Sequence, residues 1–467
     1  MVAALHLLAA LLASIHALLN KRDSRAATLW LGTIWFLPLL GPFLYLALGV
    51  NRIRRRAISL RLPRSGPRAV VEDFGEGEGS AIPHLEMLAQ VVGRIVRQRR
   101  IPGNRVRSLV NGDEAFPAML GAIESATQSI SLLTYIFDND LSGRQFADAL
   151  ARAAKRGVAV RVLIDAAGTR YSWPPITHKL KREQVPYAKF LPASVLTPWR
   201  VTTVNLRNHR KILVVDGQRA FTGGMNIRHG NVLEDKPKSP VRDLHFEIEG
   251  PLVAQLQEAF ANDWAFTTGE MLEGNIWFPE LKECGPVIGR VIIDGPDADF
   301  ETVRWTLLAA LAEAQSTVQI LTPYFLPDNG LVTALNLAAL RGVRVDIILP
   351  EKSNLPFMQW ASRAMWWQVL ERGCRIWLTP PPFDHSKLVV VDGHWVLFGS
   401  ANWDARSLRL NFELNVESYG RELASDAAKI IERKLGNARE MTLAAADSRR
   451  YPVKLADAFA RLFSPYL

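Results

Sequence analysis

The chain has 467 residues, of which 48% are hydrophobic, and a formal net charge of +10. A chain of this length and composition fills more than one core, which excludes a disordered tail. The basic balance favours an anionic partner, and charge alone leaves nucleic acid and an acidic membrane surface both open. Only two cysteines are present, Cys284 and Cys374, so a disulfide framework is excluded and a reducing compartment is favoured.

Two uncharged stretches open the chain. Residues 1–19 carry no charged side chain, and residues 26–50 form a second such stretch after a short basic loop. Each is long enough to cross about 30 Å of hydrocarbon as a helix. The pattern predicts a two-helix transmembrane hairpin over residues 1–56, with spans at about 2–19 and 27–50. The alternative is a helix buried in a soluble core.

Basic residues after the second stretch set the predicted topology. Arg52, Arg54, Arg55 and Arg56 follow it directly, against three basic residues in the connecting loop. By the positive-inside rule, the large C-terminal part is predicted to lie in the cytoplasm. Residues 57–105 are rich in proline, glycine and charge, and they are predicted to be a linker.

The remainder of the chain is a duplication. The stretch "SISLLTYIFDNDLSGRQFADALARAAKRGVAVRVLID", which begins at Ser129, is echoed by "TVQILTPYFLPDNGLVTALNLAALRGVRVDIILP", which begins at Thr317. Strands that alternate with amphipathic helices predict an α/β fold with helices on the faces of a sheet. We therefore expect two duplicated α/β/α domains, over residues 106–280 and 281–467, that form one bilobed body.

A His-x-Lys pair opens the most closely repeated line of each copy. "HRKILVVDGQRAFTGGMN" begins at His209 and "HSKLVVVDGHWVLFGSAN" begins at His385. Residues two apart in a strand share a face, so His209 with Lys211, and His385 with Lys387, are predicted to project together. One such pair is uninformative, whereas its repeat in register indicates a site. The alternative is two structural repeats with surface histidines and lysines.

The acidic residues of these lines have different predicted roles. Asp216 and Asp392 each precede a glycine between two apolar runs, which is the sequence signal of a tight hairpin. We interpret them first as turn formers and second as catalytic groups. Asp243 and Glu413 open a further repeated pattern, "DLHFE" and "ELNVE", and each is a candidate to fix the tautomer and orientation of a histidine.

The duplicated pattern H-x-K-x4-D, followed by G-[GS]-x-N, resembles the signature of the phospholipase D superfamily. Its positions are filled by His209, Lys211, Asp216, Gly223, Gly224 and Asn226, and again by His385, Lys387, Asp392, Gly399, Ser400 and Asn402. Stretches such as "RDLHFEIEGPLV" and "TPYFLPDNG" extend the resemblance to bacterial cardiolipin synthases of the phospholipase D type, over essentially the whole chain. The resemblance implies that both predicted domains are phospholipase D-like.

The resemblance also implies a catalytic arrangement, in which both halves face one phosphodiester. By the family's assignment His209 is the nucleophile and His385 the acid, although the nearly symmetric sequence leaves this order open. The amide and hydroxyl groups of Asn226, Ser400 and Asn402 are expected to bind phosphate. No metal or cofactor is expected, because the lysines supply the positive charge.

The implied activity is that of a phosphatidyltransferase of the bacterial inner membrane, which makes cardiolipin and glycerol from two phosphatidylglycerol molecules through a phosphatidyl-histidine. Phosphatidylglycerol and other anionic phospholipids are the expected partners, nucleic acid is not expected, and the oligomeric state is open. Two alternatives remain. One is a phospholipase D-type hydrolase, and the other is a scaffold that binds anionic lipid without turnover.

Three aromatic segments allow either lipid contact or ordinary packing. They are residues 170–200, residues 355–370 and the amphipathic C-terminal stretch "KLADAFARLFSPYL".

Overall fold

The computed structural model describes residues 2–21, 24–46, 83–192, 206–296 and 300–464. The chain divides into two compact units, Met1–Leu60 and Arg61–Leu467. The basic residues 52–56 and the first part of the predicted linker, residues 57–82, lie outside the described residues.

In its described residues the first unit contains three helices, α1 (Val2–Asn20), α2 (Ser24–Phe36) and α3 (Leu40–Leu44). Polar contacts join them: His16 Nδ1 lies 2.8 Å from the Tyr45 hydroxyl, and Trp35 Nε1 donates to Ser14 Oγ at 3.0 Å. The helices therefore pack on one another within this unit.

The second apolar stretch does not form one helix. α2 ends at Phe36 and α3 begins at Leu40, and Pro38 between them has no N–H with which to continue a helical ladder. The prediction of one continuous span over residues 27–50 is therefore wrong between these helices, and residues 47–50 lie outside the described part. Among the residues that are described, no helix is both long enough and apolar enough to cross a bilayer.

The second unit is built on one sheet, which has 15 strands in the described part of the chain. Two further short strands, β7 and β13, pair with each other apart from it. In chain order the strands are β1 Ile101–Val110, β2 Ser129–Thr134, β3 Ala159–Asp165, β4 Tyr187–Phe190, β5 Ile212–Val215, β6 Arg219–Gly223, β7 Val241–Arg242, β8 Leu244–Glu249, β9 Val287–Asp294, β10 Thr317–Leu321, β11 Arg344–Pro350, β12 Arg375–Thr379, β13 Phe383–Asp384, β14 Leu388–Val391, β15 Trp395–Gly399, β16 Glu413–Tyr419 and β17 Arg439–Met441.

Helices cover this sheet. In chain order they are α4 Pro83–Val96, α5 Asn111–Ser125, α6 Leu141–Lys155, α7 Thr177–Arg182, α8 Val253–Thr268, α9 Thr302–Glu313, α10 Asn329–Leu340, α11 Pro356–Arg363, α12 Trp367–Leu370, α13 Ala405–Arg409, α14 Arg421–Leu435, α15 Leu443–Asp447 and α16 Tyr451–Arg461.

The strand order shows one arrangement twice. It is β4-β3-β2-β5-β6-β8-β1 in the first half and β12-β11-β10-β14-β15-β16-β9 in the second, with β17 outside β12. β1 and β9 pair antiparallel, so one sheet runs through both halves, and each half has its own large apolar core. The prediction of a duplicated α/β fold is confirmed. The physical reason is that each copy buries its own helices on its own strands.

The predicted linker differs from the structure in its last part. α4 lies within residues 57–105, yet its Leu85, Leu88 and Val92 are buried in the core of the second half. The buried Arg290 guanidinium donates to the backbone oxygen of Ala89 at 2.7 Å. The apolar spacing of this helix therefore makes it part of the folded body.

Candidate active site

Each histidine of the repeated motif is held against the opposite half of the protein. β5 begins at Ile212 and β14 at Leu388, so both His-x-Lys pairs lie just before the strands in which the sequence placed them. The backbone N–H of His209 donates to Phe412 at 2.9 Å, and that of His385 donates to Arg242 at 2.8 Å. The motif segments therefore cross the boundary between the halves.

The orienting carboxylates are also exchanged between the halves. Asp243 Oδ2 of the first half lies 2.8 Å from Nδ1 of His385 in the second half. Glu413 Oε1 of the second half lies 3.3 Å from Nδ1 of His209 in the first. In the tautomer that carries its proton on Nδ1, each histidine donates to its carboxylate and keeps the lone pair of Nε2. Neither imidazole is positioned by its own half alone.

The motif groups surround one cavity of about 420 Å³, which both halves line. Its walls include both histidines, both lysines and Asp243, together with the amide or hydroxyl side chains of Asn226, Ser400 and Asn402. The side chains of His209 and His385 are 24% and 19% exposed. The cavity therefore shields these groups from bulk water but leaves them accessible to a ligand.

Burial changes the proton affinity of the basic groups. It lowers the pKa of Lys211 to about 8 and that of Lys387 to about 7. Burial, reinforced by the nearby Lys387 ammonium, lowers the pKa of His385 to about 4. Burial also lowers the pKa of His209, against the opposing effect of Glu413. In the absence of an anion, both imidazoles are therefore neutral near neutral pH.

The repeated aspartates lie elsewhere. Asp216 and Asp392 form hairpin turns with φ of 51° and 52°, each followed by a glycine of positive φ, and neither lines the cavity. The carboxylate of Asp216 accepts backbone N–H groups from Gln128 at 2.7 Å and Ser129 at 2.9 Å. Asp392 accepts equivalent bonds at the start of β10. This placement is that of turn formers that tie the hairpin to a neighbouring strand, and it corrects the second interpretation, in which they were catalytic groups.

Ser400 lines the cavity and also contacts a carboxylate. Its hydroxyl donates to Glu413 Oε2 and accepts the backbone N–H of Leu414 at 3.0 Å. The equivalent residue of the first half is Gly224, where an added Cβ would lie 2.3 Å from Asp243 Oδ1. The Gly or Ser of the motif therefore adapts each half to the length of its acid, and the hydroxyl of Ser400, which was expected to bind phosphate, donates to Glu413.

The two asparagines of the motif are anchored at the cavity wall. Asn226 Oδ1 accepts the backbone N–H of Ile136 at 3.1 Å, which leaves the NH₂ group for a ligand. Asn402 Nδ2 lies 3.2 Å from Ser407 Oγ, and its Oδ1 is buried without a hydrogen-bond partner in the described part of the chain. A ligand donor would satisfy that oxygen.

Buried polar pairs support the motif from behind. The buried Arg210 donates to Asp263 Oδ1 at 2.7 Å and to the backbone oxygen of Glu413 at 3.1 Å. In the second half, the carboxylate of Asp384 binds the Lys434 ammonium. The residue between His209 and Lys211 therefore points away from the cavity, as expected, and ties the two halves together.

Sequence reasoning missed several groups of the cavity wall. Tyr135 packs on His209 with ring centroids 4.2 Å apart, and Tyr324 lies 6.3 Å from His385. Their repetition in the two copies was the available signal. Two arginines, Arg228 and Arg406, also line the cavity, one from each half. They occupy different places in the two copies, so no duplication identifies them.

Within the described part of the chain, no group of three or more His, Cys, Asp or Glu side chains is placed to hold a metal ion.

The family model described as the phospholipase D-like domain of cardiolipin synthase matches residues 119–264 and 307–435. The chain belongs to this family. A second model, the phospholipase D-nuclease N-terminal segment, matches residues 8–49. Among curated members of the cardiolipin synthase family, a cardiolipin synthase of Geobacillus sp. strain WCH70 is 32% identical, over 98% of this chain and 91% of its own. Cardiolipin synthase 2 of Bacillus anthracis is 32% identical, over 96% of this chain and 88% of its own.

A solved structure shares the fold. The phosphatidylserine synthase of Haemophilus influenzae Rd KW20 superposes with a TM-score of 0.63, over 81% of this chain and 100% of its own. Its sequence identity is 15%, so this likeness concerns the fold alone.

Proposed function

We propose that this protein transfers a phosphatidyl group from one phosphatidylglycerol to the terminal glycerol hydroxyl of another, with cardiolipin and glycerol as products. The observation that carries the proposal is the crossed pairing of His209 with Glu413 and of His385 with Asp243 around one cavity. Both family resemblance and full-length similarity to curated cardiolipin synthases support it.

In the first step, Nε2 of His209 attacks phosphorus of the donor lipid, and the bond from phosphorus to the glycerol oxygen breaks. His385 gives its Nε2 proton to that oxygen, so glycerol leaves as a neutral alcohol. The product on the protein is phosphatidyl-His209. The assignment of nucleophile and acid follows the family, because the two halves are too similar to distinguish them by geometry.

In the second step, His385 takes the proton from the acceptor's glycerol hydroxyl, and that oxygen attacks phosphorus. The bond to His209 breaks, cardiolipin forms and both imidazoles return to their starting state. One phosphodiester replaces another, so no nucleotide has to be consumed. Water in place of the acceptor would give phosphatidic acid.

The lowered pKa values fit these roles. A neutral His209 is already a nucleophile, whereas His385 needs a proton before it can act as an acid. A bound phosphodiester anion stabilises the imidazolium and the ammonium groups of Lys211 and Lys387, so we expect it to raise their pKa values. The charged lysines then offset the charge that develops on the phosphoryl oxygens.

The acceptor brings a second phosphate, which needs its own cation. Arg406 lines the cavity and is close enough to His209 to lower its pKa. Arg228 lines it from the other half, but its Nε forms an ion pair with Asp138 Oδ2 at 3.5 Å. We assign the acceptor phosphate to Arg406. Arg406→Gln should lower the ratio of cardiolipin to phosphatidic acid, while Arg409→Gln on the same helix, outside the cavity, should leave it unchanged.

We further propose that the N-terminal unit attaches the protein to the bacterial inner membrane with the catalytic body in the cytoplasm. The uncharged stretches, the match of residues 8–49 to an N-terminal family model and the basic residues 52–56 support this topology. A reporter enzyme fused to the C-terminus, active only in the periplasm, should stay inactive. Periplasmic reporter activity would reverse the orientation.

The activity is tested with purified protein and phosphatidylglycerol labelled in its terminal glycerol. We expect equal amounts of cardiolipin and free glycerol, and no product from His209→Ala or His385→Ala. Phosphatidic acid as the main product would assign the protein to the hydrolases instead. Binding of anionic vesicles without any product would make it a scaffold.

The roles of the histidines are separated with phosphatidyl-p-nitrophenol, whose leaving group departs without a proton. His385→Ala should release one nitrophenol per active site and then stop, because the base for the second step is missing. His209→Ala should release none. The opposite pattern would exchange the two assignments, and mass spectrometry of the stalled protein should locate the phosphatidyl group on His209.

A further inference from the structure

Helix α16 (Tyr451–Arg461) faces the solvent with its large apolar side chains and the protein with its acid. Leu455 and Phe459 are 60% and 57% exposed, and Leu462, directly after the helix, is 69% exposed. Asp457, the acidic residue of this helix, is 1% exposed. A helix that packs on a soluble core normally shows the reverse arrangement. This orientation therefore presents an apolar surface to something outside the described protein.

Two arginines fix that orientation. Asp457 Oδ1 accepts from Arg363 Nη2 at 2.7 Å, and its other oxygen binds the Arg449 guanidinium. Rotation of α16 to hide its apolar face would break both contacts and leave buried charges without partners, which is strongly unfavourable. The outward apolar face is thus a built feature of the fold.

The exposed face is continuous with the wall of the catalytic cavity. Met358 of helix α11 lines the cavity and also packs in a small core with Ala460 of α16. Leu355, 47% exposed, lines the cavity at the start of α11. Phe357 of α11 and Phe463, just beyond α16, lie with ring centroids 5.6 Å apart. The apolar surface therefore begins at the cavity and extends outward along α16.

The first half contributes an exposed aromatic side chain to the same cavity and carries another close to it in sequence. Tyr171 lines it and is 59% exposed, and Trp173, two residues later, is 90% exposed. In the aromatic segment of residues 355–370, Trp366 is buried in the core, whereas Trp360 and Trp367 are 39% and 44% exposed. Amphipathic rings of this kind are typical of the interface between a bilayer and water.

Charge identifies the occupant of this face. Arg450, Lys454 and Arg461 are exposed along or beside α16, and its one acid is buried. A second copy of the same surface would bring like charges together, whereas an anionic phospholipid headgroup would neutralise them. The cavity volume of about 420 Å³ suits lipid headgroups, so the acyl chains of a bound phospholipid stay outside it.

We propose that the exposed face of α16, with Leu355 and Trp360 of the neighbouring segment, inserts into the interface of an anionic phospholipid bilayer. We call this set of residues the lipid-contact face. It holds the mouth of the cavity against the membrane, so that a phospholipid enters headgroup first while its acyl chains remain in the bilayer. The delivery of phospholipid to the cavity rests on the proposed phosphatidyl transfer, whereas the membrane contact does not.

Contact is tested directly on the full-length protein reconstituted in vesicles of phosphatidylethanolamine and phosphatidylglycerol. A nitrobenzoxadiazole probe is attached through Phe459→Cys in a Cys284→Ser background. Leu340→Cys, which replaces a residue 66% exposed on α10, is the matched control. Lipids with a spin label near the headgroup should quench the probe at position 459 by at least about half and the control little, because an interfacial helix lies within the labelled layer.

Kinetics test whether the contact delivers substrate. Leu455→Ser with Phe459→Ser should raise the half-saturating mole fraction of phosphatidylglycerol in mixed micelles by roughly tenfold, since two large apolar side chains leave the interface. Turnover of monomeric dihexanoyl-phosphatidylglycerol should not change. Leu337→Ser with Leu340→Ser, also at exposed apolar positions, is the control and should behave like the wild type.

Each other outcome overturns part of the inference. Equal quenching at positions 459 and 340, or none at either, would exclude lipid contact whatever the protein's activity. A probe at position 459 that is shielded from both lipid quencher and water, with loss of self-association in the double variant, would assign the face to a second copy of the chain. Quenching with unchanged micelle kinetics would keep the contact and remove its role in delivery.

Discussion

Replacement of Asp243 by asparagine changes one buried oxygen into an NH₂ group at the point where the two halves exchange partners. Asp243 Oδ2 lies 2.8 Å from His385 Nδ1, and Oδ1 accepts the backbone N–H of Leu244 at 2.8 Å. An asparagine keeps the second bond with its oxygen and turns its NH₂ toward the histidine. Nδ1 then has to accept, so the proton moves to Nε2, where the base of the second step needs a lone pair.

The expected loss is large because charge and tautomer change together. The corresponding substitution in the Ser-His-Asp triad reduces kcat by about ten-thousandfold for the same reason, and we expect at least about a hundredfold here. Asp243 also opposes the fall in the pKa of Lys387, so its neutralisation lowers that pKa further. The shape of the side chain is retained, and the melting temperature should change little.

The assay compares kcat and melting temperature in detergent for Asp243→Asn and Asp216→Asn. Asparagine tolerates the positive φ at position 216, so the turn should form. Both oxygens of Asp216 nevertheless accept N–H groups, and the NH₂ group of an asparagine would face the backbone N–H of Thr127, donor against donor. Asp216→Asn should therefore have a lower melting temperature and keep most of its kcat. If Asp216→Asn lost turnover with unchanged stability while Asp243→Asn stayed active, the reasoning would be refuted.

Three further predictions concern charge and position. Lys387 has a pKa of about 7 and Lys211 of about 8, so kcat/KM should fall as the pH rises through these two values. Lys387→Arg should remove the fall near pH 7 and keep the one near pH 8. An unchanged pH profile in this variant would show that the lower fall does not come from Lys387. Ser400→Ala should lower kcat by about tenfold without raising KM, since its hydroxyl positions Glu413, whereas a raised KM would indicate phosphate binding. Burial raises the pKa of Asp392, but backbone N–H groups outweigh it and hold the pKa below its ordinary value, so its stabilisation is lost as the pH falls below about 4. Asp392→Asn should therefore lower the melting temperature at pH 7 and lower it progressively less as the pH falls below about 4, and an equal effect at neutral and acidic pH would disprove it.

The sequence by itself determined the duplicated α/β fold and the residue types of the site. The spacing of apolar residues indicates strands and amphipathic helices locally. The repetition of His209 and Lys211 as His385 and Lys387 distinguishes candidate catalytic residues from positions that differ between the two copies. Asp216 belongs to this level too, because its turn depends on its own backbone and on the glycine that follows. These features need only neighbours in the chain.

The tertiary structure alone decided how the groups combine. The pairing of His385 with Asp243, that of His209 with Glu413 and that of Arg363 with the buried Asp457 of α16 all join residues far apart in sequence. Periodicity reports which side of a helix or strand is apolar, but it does not report what that side meets. Such contacts are set by the packing of the two halves on one sheet, and a buried carboxylate is stable only where that packing supplies its donors.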